Sequence, residues 1–386
     1  MVKDIALLSP IFTTLFWGLI FFIQVGKTDK SKINLGILML MAFVLYISHA
    51  IFFSNFYKIY LQIEFVYIFS MLSLYPIYYL YLISLSTNKI VFSHFAHFIP
   101  ALVFSVSIFI LTTISTPEER IIYVKEILIH KNLKELNLST LVGIKGSIFY
   151  LSRIVLIIQI IYYLTKGVFV AKKHNQQIAN YYSNMEGITL NWVKSLNITF
   201  LFIALSSITF AIIGRGYFTQ HEAFLLIPSV LFTTFLFIIG FNGNHQIQVT
   251  AEFRNNEQIS DTAEITNGQP DILKNQLVQL FEEDKIYKNS DLRITLVSET
   301  LKTNRTYISK LINAEFKKNF NEFVNEYRIE EAKKLLLDKS QNLYTIEHIA
   351  EKSGFGSVNS FTRVFKEIVG MPPGKYKELV VTGQKT

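Results

Sequence analysis

The sequence predicts an all-α protein: a polytopic bundle of seven transmembrane helices, followed by a soluble domain of two helix-turn-helix units joined by a connecting helix. Three observations lead there. Of the 386 residues 51% are hydrophobic and only 17% charged, where soluble proteins carry about a quarter. The apolar residues gather in windows of about 20, each long enough to cross a hydrocarbon core of about 30 Å as a helix. Beyond residue 270 the pattern shifts to short amphipathic runs, of which TIEHIAEKSGFGSVNSFTRVFKEIVGMPPGKY (345–376) is the clearest.

The apolar windows fall at about 5–25, 33–53, 59–86, 95–115, 144–164, 196–216 and 223–241, so residues 1–241 read as a seven-span sensor domain. The first window, IALLSPIFTTLFWGLIFFIQV, lacks a small-residue cleavage site. Lys27, Lys30 and Lys32 follow it, the reverse of a signal peptide. It reads as a retained helix with its N-terminus outside, and an odd number of spans then leaves the C-terminal domain in the cytoplasm. Loop charge supports that orientation only partly. The inner loops would hold Lys27, Lys30, Lys32, Lys89, Lys166, Lys172, Lys173 and Lys194, but the outer 116–143 loop holds Arg120, Lys125, Lys131 and Lys134. The lipid bilayer is the first expected partner.

Ionisable side chains inside spans are costly and mark function. His49, Glu64, Arg153 and Arg215 are the candidates, and they predict a polar sensor pocket anchored by a Glu64–Arg153 ion pair, open to a small-molecule or membrane signal. The competing reading is interfacial, with Arg153 snorkelling and Glu64 among headgroups. Tyr75, Tyr78, Tyr79 and Tyr81 read as an interfacial belt in preference to a ligand cage. Pro76, Pro100 and Pro228 read as kinks. The 165–195 stretch, with YYSNMEGITLNWVKSL, reads as an amphipathic helix at the inner face with Trp192 at the headgroups.

Residues 242–270 are polar and read as a linker. A linker helix follows over 271–284 with Asp271 as its N-cap, and then a basic domain over 285–386 with 18 Lys+Arg against 12 acids. Leu292, Ile294, Val297 and Leu301 form the inner face of a first unit, with Thr303 and Asn304 as turn and cap and Tyr307, Ile308, Leu311 and Phe316 continuing inward. Residues 319–337 form the connecting helix. In the second unit Ile346, Ile349 and Ala350 precede a stop at Gly354, and Phe361, Val364 and Phe365 line the next helix. Two such units on one rigid helix suit successive major grooves about 34 Å apart. Homodimerisation is left open.

The second unit carries A-x-x-x-G-F (Ala350, Gly354, Phe355), S-F-x-R-x-F-K (Ser360 to Lys366), G-M-x-P (Gly370 to Pro373) and Tyr376. On these motifs residues 285–377 resemble the DNA-binding domain of the AraC/XylS transcription regulators. The first unit departs from the pattern, with Ser298 in place of alanine and Lys302 in place of glycine. A lysine at a turn needing positive φ costs about 1 kcal/mol. By layout the chain resembles membrane-bound regulators of this type in Bacteroidetes-like bacteria, which implies the bacterial inner membrane and double-stranded DNA as partner. The resemblance implies base readers at Arg305, Thr306, Ser309 and Lys310 in the first unit and at Val358, Asn359, Thr362 and Arg363 in the second. Asn304 and Ser357 at the helix starts, with Lys317 and Lys366, suit phosphate contacts; for the lysines a solvated face is the alternative.

The expected function is a membrane-embedded, sequence-specific DNA-binding transcription regulator that couples a membrane or extracytoplasmic signal to gene expression. A transporter or channel-like protein with an appended regulatory domain is the alternative. No cofactor is expected: the chain has no cysteine, and no phosphate-loop, HExxH or G-x-S-x-G motif, so no enzyme is expected either.

Overall fold

The computed structural model describes residues 2–24, 31–86, 92–186, 188–189, 193–245, 270–337 and 344–381. Among them the protein is all-α. The first part comprises α1 (Val2–Ile23), α2 (Ser31–Phe53), α3 (Tyr57–Ser86), α4 (Ile99–Ile114, entered through a 3-10 turn from Phe92), α5 (Pro117–Ile122), α6 (Leu141–Ala179), α7 (Val193–Ile213), α8 (Arg215–Gln220) and α9 (Leu226–His245). Seven helices among the described residues are long and apolar enough to cross a membrane. The C-terminal part comprises α10 (Pro270–Glu282), α11 (Ile294–Thr300), α12 (Arg305–Leu311), α13 (Phe320–Leu337), α14 (Ile346–Lys352), α15 (Val358–Val369) and α16 (Pro373–Val381).

The chain forms two compact units: Met1–Lys172 with Leu190–Val249, and Lys173–Thr189 with Thr250–Thr386. Helix α6 therefore contributes residues to both. The polar linker read over 242–270 is helical through His245, and its residues 246–269 lie outside the described ones, as do Trp192, Lys27, Lys30 and Lys89.

In the apolar unit α3 is the hub. Of its apolar window 78% is buried, against 17–39% in the other six helices. Tyr75, Tyr78 and Tyr81 pack into the core, so three of the four tyrosines read as an interfacial belt turn inward. The Tyr78 hydroxyl donates to Asn197 Oδ1 at 2.6 Å, and Asn197 Nδ2 donates to the Leu164 carbonyl at 3.1 Å, tying α3, α6 and α7 together. Buried polar cross-links of this kind satisfy groups that have no water to turn to. Gly240 lets α1 and α9 close: an added Cβ would lie 2.3 Å from the Trp17 ring. Facing outward are Phe12, Phe16, Leu19, Ile154, Ile158, Ile161, Ile212 and Phe237, an apolar surface suited to lipid. Pro100 and Pro228 sit in the first turns of α4 and α9, where proline lacks no hydrogen bond; among the three expected kinks only Pro76 lies in a helix interior.

In the C-terminal unit the expected helices form. Ile329, Ala332 and Leu336 of α13 pack on Ile349, Ala350, Phe355, Phe361, Val364 and Phe365, the core of the second helix-turn-helix. Leu292, Ile294, Val297 and Ile308 are buried in the first. Asp271 lies in the first turn of α10 instead of capping it, because the helix begins at Pro270, whose fixed φ suits that position. Lys302 does adopt the left-handed turn, at φ 49, and it is exposed. Ser298, where alanine was expected, is buried and donates its hydroxyl to the Thr295 carbonyl at 2.8 Å, so the extra oxygen is satisfied within its own helix.

The 165–195 stretch departs from its reading. Helix α6 continues past the expected span to Ala179, and Lys173–Thr189 belongs to the C-terminal unit.

Candidate functional site

Each proposed recognition helix begins with the cap that its sequence suggests. Asn304 Oδ1 accepts from the Thr306 N–H at 2.8 Å, and Ser357 Oγ accepts from the Ser360 N–H at 3.1 Å. The remaining first-turn N–H groups and the positive end of the helix dipole make such starts attractive to phosphate. On α15 Asn359 and Arg363 are exposed and Val358 and Thr362 are half-buried, one turn apart along the same side. Arg363 lies 3.9 Å from Glu367, an exposed pair that binding can open cheaply. On α12 Lys310 is exposed, whereas Arg305, Thr306 and Ser309 are half-buried. Lys317 and Lys366 are exposed. Phe355, Phe361 and Phe365 are core residues.

The two units are fixed to each other by two residues. Gly354 adopts φ +88, and a Cβ there would lie 2.4 Å from the Tyr287 carbonyl oxygen, so only glycine admits this approach. Arg328 of α13 is fully buried. It donates from Nε to the Tyr287 carbonyl at 2.8 Å and from a terminal nitrogen to the Asn289 carbonyl at 2.7 Å, with Phe355 facing its guanidinium. Burial pulls its pKa down to about 10, which leaves it charged at neutral pH. Sequence reading missed Arg328, whose place in an amphipathic helix resembles that of any surface arginine.

A second feature was also missed: Tyr181–Glu186 lies on this unit. Tyr182 bridges antiparallel to Arg293, through Ser183 N–H to the Leu292 carbonyl at 3.1 Å and Ile294 N–H to the Tyr181 carbonyl at 3.0 Å. Asn321 Nδ2 donates to the Ser183 carbonyl at 2.6 Å, and Arg328 donates to the Ser183 hydroxyl at 3.0 Å. The Arg305 guanidinium sits 5.8 Å from the centre of the Tyr181 ring. The Ser357 hydroxyl, besides capping α15, donates to Glu186 Oε2 at 2.5 Å. Tyr181, Tyr182 and Ser183 are buried.

In the apolar unit, three of the four expected pocket residues converge. Tyr67 is the centre: its hydroxyl accepts from Arg153 at 2.9 Å and from Arg215 at 3.2 Å, and it lies 3.3 Å from His49 Nε2. With both lone pairs taken, the Tyr67 hydrogen is free to point at His49. Arg215 also donates to Tyr60 at 3.2 Å, and Arg153 contacts Met71. Glu64 is not the partner of Arg153. Its carboxylate pairs with Lys145 at 2.8 Å and accepts from Tyr123 at 2.8 Å, all three fully buried. Lys145 and Arg153 lie on the same helix about two turns apart, and the rotation of α6 brings the lysine to Glu64. Glu64 is thereby neutralised, and among the described residues neither guanidinium has a carboxylate within ion-pair distance.

Residues 297–378 match the family model described as a helix-turn-helix domain. The chain is 36% identical over 109 residues to the uncharacterized HTH-type transcriptional regulator YfiF of Bacillus subtilis (strain 168), covering 28% of this chain and 33% of that one. It is 29% identical over 94 residues to YobQ of the same organism, an uncharacterized HTH-type transcriptional regulator, covering 24% and 38%. It thus spans about a third of the length of these curated relatives. Among solved structures, the C-terminal domain of AraT, a response regulator from Geobacillus stearothermophilus, is similar at 29% identity over 28% of this chain and 84% of that one, with a TM-score of 0.25.

Proposed function

Because its C-terminal region is an AraC-type helix-turn-helix domain, we propose that this chain is a membrane-embedded transcription regulator that reads a specific DNA sequence in the cytoplasm and changes its output with a signal taken up by its apolar unit. The observation that carries the reading is the presence, in one chain, of two capped recognition helices on a shared connecting helix and seven helices of membrane-spanning length. Arg305, Thr306, Ser309 and Lys310, with Val358, Asn359, Thr362 and Arg363, read bases; Asn304, Ser357, Lys317 and Lys366 hold phosphates. The inner membrane and the inside position of the C-terminus belong to the same proposal.

The signal site is the cluster of His49, Tyr60, Tyr67, Arg153 and Arg215. Two guanidiniums sharing one phenol oxygen repel each other in a poorly screened setting. Glu64, already held by Lys145, cannot compensate both. An anionic ligand with carboxylate or phosphate oxygens supplies the missing charge and the fork geometry that arginine prefers.

The test uses the whole chain in detergent, since Tyr181–Glu186 is part of the DNA-binding unit and would be lost on excision. It is titrated with the DNA that precedes its own coding sequence and with random duplex. Preference for the first duplex is expected, and Arg363→Ala should lower that preference by about 1–3 kcal/mol. Equal retention of both duplexes by the unaltered chain at moderate salt counts against sequence-specific reading.

A further inference from the structure

The two recognition-helix starts share one neighbour. Glu186 places a carboxylate on the hydroxyl that caps α15, the place where an anion gains most from the dipole and the first-turn N–H groups. Asn184 abuts Gly356, the residue before that cap: an added Cβ at Gly356 would lie 2.8 Å from Asn184 Nδ2. At the other unit, Tyr181 lies under the guanidinium of Arg305, the first residue of α12. A single short segment therefore engages the start of α12 through an aromatic ring and the start of α15 through a negative charge. Its hold is firm, because the hydrogen bond from Asn321 and the bridge to Arg293 pin its backbone, Arg328 holds the Ser183 hydroxyl, and Tyr181 and Tyr182 are buried.

We propose that Tyr181–Glu186 is an autoinhibitory strap, which holds the DNA-binding domain closed by occupying with Glu186 the anion position at Ser357 and by engaging Arg305 with Tyr181. A DNA phosphate at Ser357 and the Glu186 carboxylate exclude each other by volume and by charge. Strap release and DNA binding are thus one equilibrium, and whatever favours release favours binding by the same factor. One residue, Asn180, separates the strap from Ala179, the last residue of the helix that carries Arg153. The strap rests on the DNA-binding reading above, and its test separates the two.

The chain has no cysteine, so Asn184→Cys with Gly356→Cys introduces a single pair, at two positions where the Asn184 side chain already meets Gly356. Full-length protein in detergent is oxidised, and its affinity for the same fluorescent duplexes is compared before and after reduction. The disulfide is expected to form, to weaken binding about tenfold or more, and to be reversed by reductant, in the range usual for coupled states. In a cysteine-free background Asn321→Ala, which removes a strap anchor and no proposed DNA contact, should tighten binding roughly three- to tenfold. Failure of the disulfide to form, equal affinity of oxidised and reduced protein, or an unchanged Asn321→Ala each overturns the strap. Absence of binding to any duplex in the reduced pair, in Asn321→Ala and in the unaltered chain alike removes the DNA-binding reading itself.

Discussion

Gly354 and Gly370 have nearly the same backbone conformation, φ +88 and +85, in different surroundings. Around Gly370 nothing lies within 4 Å of an added Cβ, whereas at Gly354 the Tyr287 oxygen lies at 2.4 Å and Lys288 Cα at 2.7 Å. Gly370→Ala should therefore cost only the left-handed strain, about 1 kcal/mol. Gly354→Ala must also push apart the backbones of the two helix-turn-helix units, and about 3 kcal/mol or more is expected. Pulse proteolysis of the full chain in urea measures both, and equal losses would refute the close approach. Lys302 marks the matching turn of the first unit and tolerates φ 49 because it is exposed. The sequence revealed that strain, since a lysine stood where the turn needs glycine. It could not reveal the Tyr287 contact, which depends on how two units separated by a long helix come together.

At the scale of elements, α13 is the beam on which both units are mounted, and Glu331 fastens it to the turn before α11. The Glu331 carboxylate pairs with Lys288 at 2.6 Å and lies 3.9 Å from Lys285, and it accepts from the Tyr287 hydroxyl at 3.3 Å. Burial pushes its pKa up, but the hydrogen bond and charge of Lys288, with Lys285 and Tyr287, more than reverse this and hold it below the usual carboxylate range. A carboxyl depressed on folding stabilises the native state above its unfolded pKa of about 4.3, and that contribution is lost as pH falls through the folded value. Stability of the C-terminal unit should accordingly drop between about pH 5 and 3, and Lys288→Ala should flatten the drop in urea titrations at stepped pH. An unchanged profile would mean that other carboxylates govern the acid limb. The starts of α12 and α15 were legible at this scale because Asn304, Ser357 and the apolar spacing are local signals, whereas the Asp271 cap and the full length of α6 were not. The strap was not: Ser183 and Arg328 are 145 residues apart in sequence, and nothing local in YYSN points to such a partner.

At the scale of the molecule, the seven apolar helices were readable from composition and window length alone, because an uninterrupted apolar run of about 20 residues with almost no charge is the signature of a helix of membrane-spanning length. His49, Glu64, Arg153 and Arg215 were readable as costly groups, but their pairing was not, because helix rotation decides it and hydropathy does not encode rotation. What the pairing leaves is an excess of cation at Tyr67, with Lys145 spent on Glu64. An anion that fills the cluster binds the folded state alone and should raise the melting temperature of the full chain in detergent. At about a hundred times its Kd the gain is about 2.7 kcal/mol. Acetate, succinate and inorganic phosphate are compared with chloride at equal ionic strength, which keeps general screening constant. At least one should give a saturable rise, lost in Arg153→Gln and in Arg215→Gln. Lys145→Gln should lower the starting temperature by stranding the buried Glu64, yet keep the increment, since that lysine faces the carboxylate and not the site. Equal behaviour of all the anions in the unaltered chain and both arginine variants would sink the anion site. Loss of the increment in Lys145→Gln alone would move it to the Glu64 pair.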